Sequence, residues 1–308
     1  MNRVATFGNY QSALLNLMNT QAKGQDAQNR VSTQKNATDL VGFGRQSETL
    51  TALKGSSSRI QGFLDTAKTV SDRLVTQDLA MNRVSDGVDG IRAALGNAMA
   101  MDSGVSLMAE LEAQFQSIRG GLNMKHQGNY LFSGSATTTL PMTAGTMAEL
   151  AAAPALGDVF QNDSLKTVSR IAEGTTLQTG VLAEDLGSEV LSVLRDIQTY
   201  ATGPNGPLDG KLTEVQKTFI TTQLSRLETT SQAVTQKTAM TGSMANQIDT
   251  VIEGHKSQLA SLETLVADRT DADMLKAVTD LELSQIAIQA SAQVISQLRQ
   301  SSLLNYLS

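Results

Sequence analysis

Residues 220–266 read ITTQLSRLETTSQAVTQKTAMTGSMANQIDTVIEGHKSQLASLETLV. Along this stretch Ile220, Leu224, Leu227, Ser231, Val234, Thr238, Thr241, Ala245, Ile248, Ile252, His255, Leu259, Leu262 and Val266 recur at alternating steps of three and four. That spacing averages less than one straight helical turn of about 3.6 residues, so the stripe stays on one side only if the helix supercoils around a partner. The rhythm holds without a slip, and at 1.5 Å per residue it predicts a helix roughly 70 Å long. A compact domain needs no helix of that length. The sequence therefore predicts an elongated, mainly α protein.

The same rhythm recurs elsewhere. Val70, Leu74, Gln77, Met81, Val84, Val88, Ile91, Leu95 and Ala98 form a second run, and Leu107, Leu111, Gln114, Ile118 and Leu122 a shorter one. Near the start Phe7, Tyr10, Leu14, Leu17, Gln21, Gly24, Gln28 and Val31 keep it; near the end Met274, Val278, Leu281, Gln285, Ile288, Ala292 and Ile295 do. Breaks fall at residues 36–45 (NATDLVGFGR), at Asp102-Ser103-Gly104, and at Asp268 to Asp273, where Thr270 or Asp271 is the expected helix cap.

The two ends share an unusual composition. Val4 to Ala22 holds no charged residue, and Leu283 to Ser308 only Arg299. A helix that faces water normally carries Lys and Glu on its outer side. These segments are expected to fold by packing against one another and against copies of the same chain, with Phe7, Tyr10, Leu14 and Leu17 meeting Ile288, Ile295, Leu303, Leu304 and Tyr306.

All four prolines, at 141, 154, 204 and 207, lie in one central window. Apolar and polar residues alternate on both sides of Glu173-Gly174, which predicts a β-hairpin within 165–186, and Val190, Leu194 and Ile197 predict a short helix. The expected organisation is therefore paired terminal helices (1–45 and 268–308), a helical rod (46–135 and 208–267), and a small α+β domain inserted at 136–207.

Aromatic residues make up 4% of the 308, with no Trp and 12 Met, which suits a thin helical bundle better than a thick globular core. A net charge of −6 presents no basic surface for nucleic acid, and the absence of Cys excludes disulfides and thiolate metal sites. No apolar stretch approaches the ~18 residues of a membrane span, and no cleaved secretory signal is expected.

Residues 123–134 (NMKHQGNYLFSG) resemble the G-x-Y-L-F-[AS]-G segment of the flagellar hook–filament junction proteins, the hook-associated protein 3 family within the flagellin superfamily. The matching residues are Gly128, Tyr130, Leu131, Phe132, Ser133 and Gly134. Ser302 to Leu307 (SLLNYL) resembles that family's ending, and Ser12 to Thr20 looks like its first helix. Val31 to Lys35 (VSTQK) is similar to the family's turn after that helix, with Gln34 standing where the family has Gly. The resemblance covers about 1–135 and 210–308. It implies a homo-oligomeric adaptor ring between the hook and the filament. Another hook-associated protein would lie on one side and flagellin on the other. It also implies an extracellular location, reached by flagellar export with the help of a chaperone. A flagellin is the alternative reading, and a signalling coiled coil a second.

Nothing in the chain assembles a reaction centre. The two His, at 126 and 255, stand apart, and His255 on the seam reads as a register-setting core residue rather than a ligand. Gly42-Phe43-Gly44 lacks the flanking strand and Lys-Ser/Thr of a phosphate loop. No catalytic, metal or cofactor residues are expected.

Overall fold

The computed structural model describes residues 2–307, with side chains from 8 to 299. It contains helices α1 (Asn2–Thr33), α2 (Ser47–Ala100), α3 (Leu107–Leu122), α4 (Met147–Ala152), α5 (Ala183–Thr202), α6 (Glu214–Thr270) and α7 (Met274–Leu307). Two small antiparallel pairs accompany them: β1 (Lys125–His126) with β2 (Asn129–Tyr130), and β3 (Val168–Ala172) with β4 (Thr175–Gln178). The chain is thus mainly helical with a small β part, as its periodicity predicts.

It forms two compact units, Met1–Arg59 with Gln258–Ser308, and Ile60–Ser257. In the first, α1 packs along α7 in antiparallel sense. In the second, α2 and α6 run antiparallel, tied by Gln77 to Thr241 at 3.3 Å, by Ser231 to Asp89 at 3.1 Å, and by an Arg92–Glu228 ion pair. Val70, Leu74, Gln77, Met81, Val84, Val88, Ile91, Leu95 and Ala98 are all buried, and every seam residue of α6 is buried or half-buried. The 3-4 stripe is the inner face of both helices.

Helix α2 ends where Asp102 turns into the left-handed region (φ 49°) and Ser103 N–H bonds the Ala98 carbonyl. Helix α3 then folds back on α2. Gly121 stands in the last turn of α3, where a Cβ would sit 2.8 Å from the Ala80 carbonyl oxygen. The glycine thus also permits a close helix crossing.

The units divide the chain differently from the sequence pattern. The boundaries fall at 59/60 and 257/258 rather than near 45 and 268. Residues 136–207 also carry no separate core. Met142, Met147, Leu150, Val159, Phe160, Leu186, Val190, Leu194 and Ile197 join one buried cluster with Val88, Leu95, Phe115, Leu122, Ile220 and Leu227. Gly187 lets α5 close on α3, where a Cβ would meet Leu122 Cδ1 at 2.7 Å. Proline content marks the segment off in sequence, but its apolar residues pack into the core of the rod.

Replacing residues 136–207 by a short Gly/Ser linker should therefore strip the cover from Phe115 and Leu122 and abolish cooperative unfolding of 60–257. Urea unfolding followed by circular dichroism tests this; a sharp transition of wild-type slope per residue would show the remainder folds alone.

Candidate assembly interface

The α1–α7 pair is the region singled out by its missing charge. On α1 the inward positions are Tyr10, Ala13, Leu17, Thr20, Gly24, Ala27 and Val31, half-buried except for the buried Gly24 and Ala27. On α7 they are Ala277, Leu281, Ser284, Ile288, Ser291, Ile295 and Leu298, with Ala277 and Ser284 buried. Tyr10, Leu17, Ile288 and Ile295 thus lie on the facing stripes of the pair. Phe7, Leu303, Leu304 and Tyr306 lie outside the described side chains.

Every second seam position differs from the sequence reading. Ala13, Thr20 and Ala27 replace Leu14, Gln21 and Gln28, and Ala277, Ser284 and Ser291 replace Val278, Gln285 and Ala292. The cause is close approach: a Cβ on Gly24 would lie 3.4 Å from Ser284 Cβ and 3.6 Å from Ile288 Cδ1. The inward stripe of each helix thus alternates small residues with larger ones. Leu14, 38% exposed, and Val278, 40% exposed, turn outward as a result.

They join other large apolar residues facing water. Leu15 and Met18 are each 57% exposed on α1, and Leu283, Ile286 and Val294 are 59%, 62% and 48% exposed on α7. Fully burying one such side chain is worth about 1.5–3 kcal/mol. Most of their surface neighbours, Asn16, Asn19, Gln21, Gln285 and Gln289, are neutral groups that desolvate far more cheaply than Lys or Glu, with Glu282 beside Leu283 the charged exception.

At one end the pair is closed by its two chain breaks. Asn36 N–H donates to the Thr270 carbonyl at 2.7 Å, and Ala272 N–H to the Gln34 carbonyl at 2.9 Å. Asn36 Nδ2 donates to the Asp271 carbonyl at 2.8 Å, and Lys35 pairs with the Asp271 carboxylate. The Lys35 hydrogen bond, aided by one from Thr270, holds the Asp271 carboxyl below its usual range. Asp271 is thus engaged with Lys35, and the cap of α7 is Asp273, whose carboxylate accepts from Lys276 N–H at 3.1 Å.

The GNYLFSG segment plays a different part. Gln127 (φ 49°) and Gly128 (φ 84°) form the two-residue turn between β1 and β2, where positive φ at both positions suits the strand twist. Tyr130 is half-buried, with Lys125 Nζ 4.4 Å from its ring centre. Leu131 and Phe132 are buried in the core. The Phe132 carbonyl accepts from Ala183 N–H at 2.9 Å, and the Ser133 carbonyl from Asp163 N–H at 3.0 Å. Arg73 bridges the Leu131 carbonyl and the Thr167 hydroxyl, and burial pushes its guanidinium pKa down. Leu131 to Gly134 form a buried plug joining α2 and α5, while Gly128 and Asn129 stay exposed. His255 is likewise internal: its Nε2 lies 2.8 Å from the Ile171 carbonyl oxygen and its ring stacks on Phe63. Among the described residues no cluster of metal-ligating side chains forms, and no helix is long and apolar enough to cross a membrane.

Residues 216–307 match the bacterial flagellin C-terminal helical region. No curated protein matches the chain by sequence. Among solved structures, one assigned to a flagellar hook-associated protein of Vibrio parahaemolyticus aligns with a TM-score of 0.59 at 17% identity, covering 73% of this chain and 97% of that one. FlgL of Bacillus cereus aligns at 0.53 and 14% identity, over 70% and 98% of the two chains. FlgL of Xanthomonas campestris gives 0.54 and 13%, over 70% and 99%. The fold is that of these flagellar hook-associated structures, and the match to the flagellin C-terminal region lies within the C-terminal arm.

Gly134 is the residue of the plug least open to change. Its φ is 69°, and a Cβ would lie 2.7 Å from the Asp163 carbonyl oxygen and 2.9 Å from that of Leu165. Gly134→Ala should cost about 1–3 kcal/mol of unfolding free energy, read as a lower urea midpoint. A wild-type midpoint would mean the segment relaxes freely.

Proposed function

We propose that this protein is a structural adaptor of the bacterial flagellum, forming a ring at the hook–filament junction on which flagellin polymerises. The observation that carries the reading is the outer face of residues 8–22 of α1 and 283–298 of α7, rich in apolar residues and free of charge on a pair that already has its own seam. Such a face is suited to neighbouring copies and to helical ends of the same kind. The fold shared with hook-associated proteins and the plug segment support the junction role. One side of the ring would meet another hook-associated protein and the other flagellin, after export without a cleaved signal and with a chaperone's help. The role is mechanical, with no turnover of a small molecule.

A flagellin is the second reading, favoured by the match of 216–307 to the flagellin C-terminal region. A strain lacking this chain separates the two. The adaptor reading expects complete hooks, no filaments, and flagellin released into the medium. Full-length filaments on that strain would overturn it, and disappearance of the filament subunit itself would make the chain a flagellin.

The surface is tested by Leu14→Glu. Because Leu14 faces outward, the variant should keep the monomer's helical signal and melting temperature within a few degrees. In an assembly it would bury an unpaired charge, which costs several kcal/mol per subunit, so filament growth in the complemented strain should be lost. Normal filaments would exclude Leu14 from the interface.

A further inference from the structure

The seam between α1 and α7 does little to fix its own register. Its small residues repeat by heptads, Ala13, Thr20 and Ala27 on one helix and Ala277, Ser284 and Ser291 on the other. Sliding one helix by seven residues would set small residues of one helix against larger ones of the other again, as Gly24 lies against Ile288 in the present register. The apolar pattern alone leaves alternatives of similar packing, as in coiled coils without a polar register mark.

Polar ties fall at defined points instead. Arg30 pairs with Asp280 at 3.3 Å and with Asp26 at 3.1 Å. Beyond it, the Lys35–Asp271 ion pair, the Asn36 side-chain bond to the Asp271 carbonyl, and the reciprocal bonds of Asn36 to Thr270 and Ala272 to Gln34 join the two chain breaks. The main-chain bonds need Gln34 in the left-handed region, at φ 57°. A slip of seven residues on either helix would dissolve all of them together.

We infer that Lys35, Asn36 and Asp271 form a clasp that sets the register of the α1–α7 pair. In doing so they position its outer apolar residues as one assembly surface. The clasp decides which of Leu283, Ile286 and Val294 come level with Leu14, Leu15 and Met18. Because the Lys35 hydrogen bond holds the Asp271 carboxyl below its usual range, the ion pair is lost only as the pH falls through that lowered value. The consequence for assembly rests on the adaptor reading; the register itself does not.

The chain has no cysteine, so an engineered pair reports register directly. The 3.4 Å from a Gly24 Cβ to Ser284 Cβ is close to the ~3.5–4.5 Å span of disulfides. In dilute full-length monomer, Gly24→Cys/Ser284→Cys should close on mild oxidation. The one-heptad reporters Gly24→Cys/Ser291→Cys and Gly24→Cys/Ala277→Cys should stay open. Adding Lys35→Glu/Asn36→Ala should lower closure of the first pair at least threefold and let one slipped pair close. The charge-reversed background Lys35→Glu/Asp271→Lys should restore closure of the first pair. Undiminished closure in Lys35→Glu/Asn36→Ala would overturn the inference. So would loss of all closure together with helical signal, because the contacts would then hold the helices together rather than choose among registers. Neither result touches the junction reading, which the deletion strain decides separately.

Discussion

The constraint on which the terminal region depends is how near two helix backbones come at Gly24. With Ser284 Cβ 3.4 Å and Ile288 Cδ1 3.6 Å from where a Cβ would stand, a methyl at Gly24 would already be in van der Waals contact, and a larger side chain would have to displace these neighbours. Close approach gains dispersion contacts along the backbones but shrinks the apolar area that the seam buries. The larger apolar side chains are displaced to the outside, and a seam of small repeating residues is left without a strong register. The exposed faces and the need for a polar clasp both follow from that one distance.

That constraint also explains what could and could not be read in the sequence. In α2 and α6 the seam is built from Leu, Ile, Val and Met, so the largest side chains mark the inner face and the 3-4 stripe has the right phase. In α1 and α7 the same habit of choosing the larger neighbour selects Leu14 over Ala13 and Val278 over Ala277, one residue off at alternate layers. Hydrophobicity predicts burial only where volume is not limiting. The clasp was legible only as a polar break. Nothing in the pattern of Lys35, Asn36 and Asp271 shows that two breaks so distant in sequence lie side by side, and Gln34 occupies a left-handed position that a glycine would have announced.

In the second unit the polar residues carry the specificity that the apolar stripe lacks. Gln77 is fully buried and donates to Thr241, whose hydroxyl lies 3.4 Å from Met81 Sδ. A polar layer inside an apolar seam costs stability but penalises every other register, because a slip would bury its groups unpaired. Further along α6, Gln216, Gln223 and Thr230 are buried on a second face that hydrophobic periodicity does not mark. Gln216 Nε2 bonds the carbonyls of Asn205 and Pro207 there. Residues 136–207 therefore read as separable in sequence, since the groups that attach them are polar or sit on faces already counted as outer.

The surface chemistry of the terminal pair fits a face that must be wet at one stage and dry at another. Lys and Glu would keep the free chain soluble, yet each would have to be desolvated or paired on assembly, at a cost that buried ion pairs seldom recover. Asn, Gln and Ser hydrogen-bond to water when free and to another copy's amides when covered, at much lower cost. Leu14, Leu15, Met18, Leu283 and Ile286 would supply the drive in the proposed assembly, since burying them against other chains would regain what the seam does not use. In the proposed assembly, the residues too large for the close helix pair are those left to hold one subunit to the next.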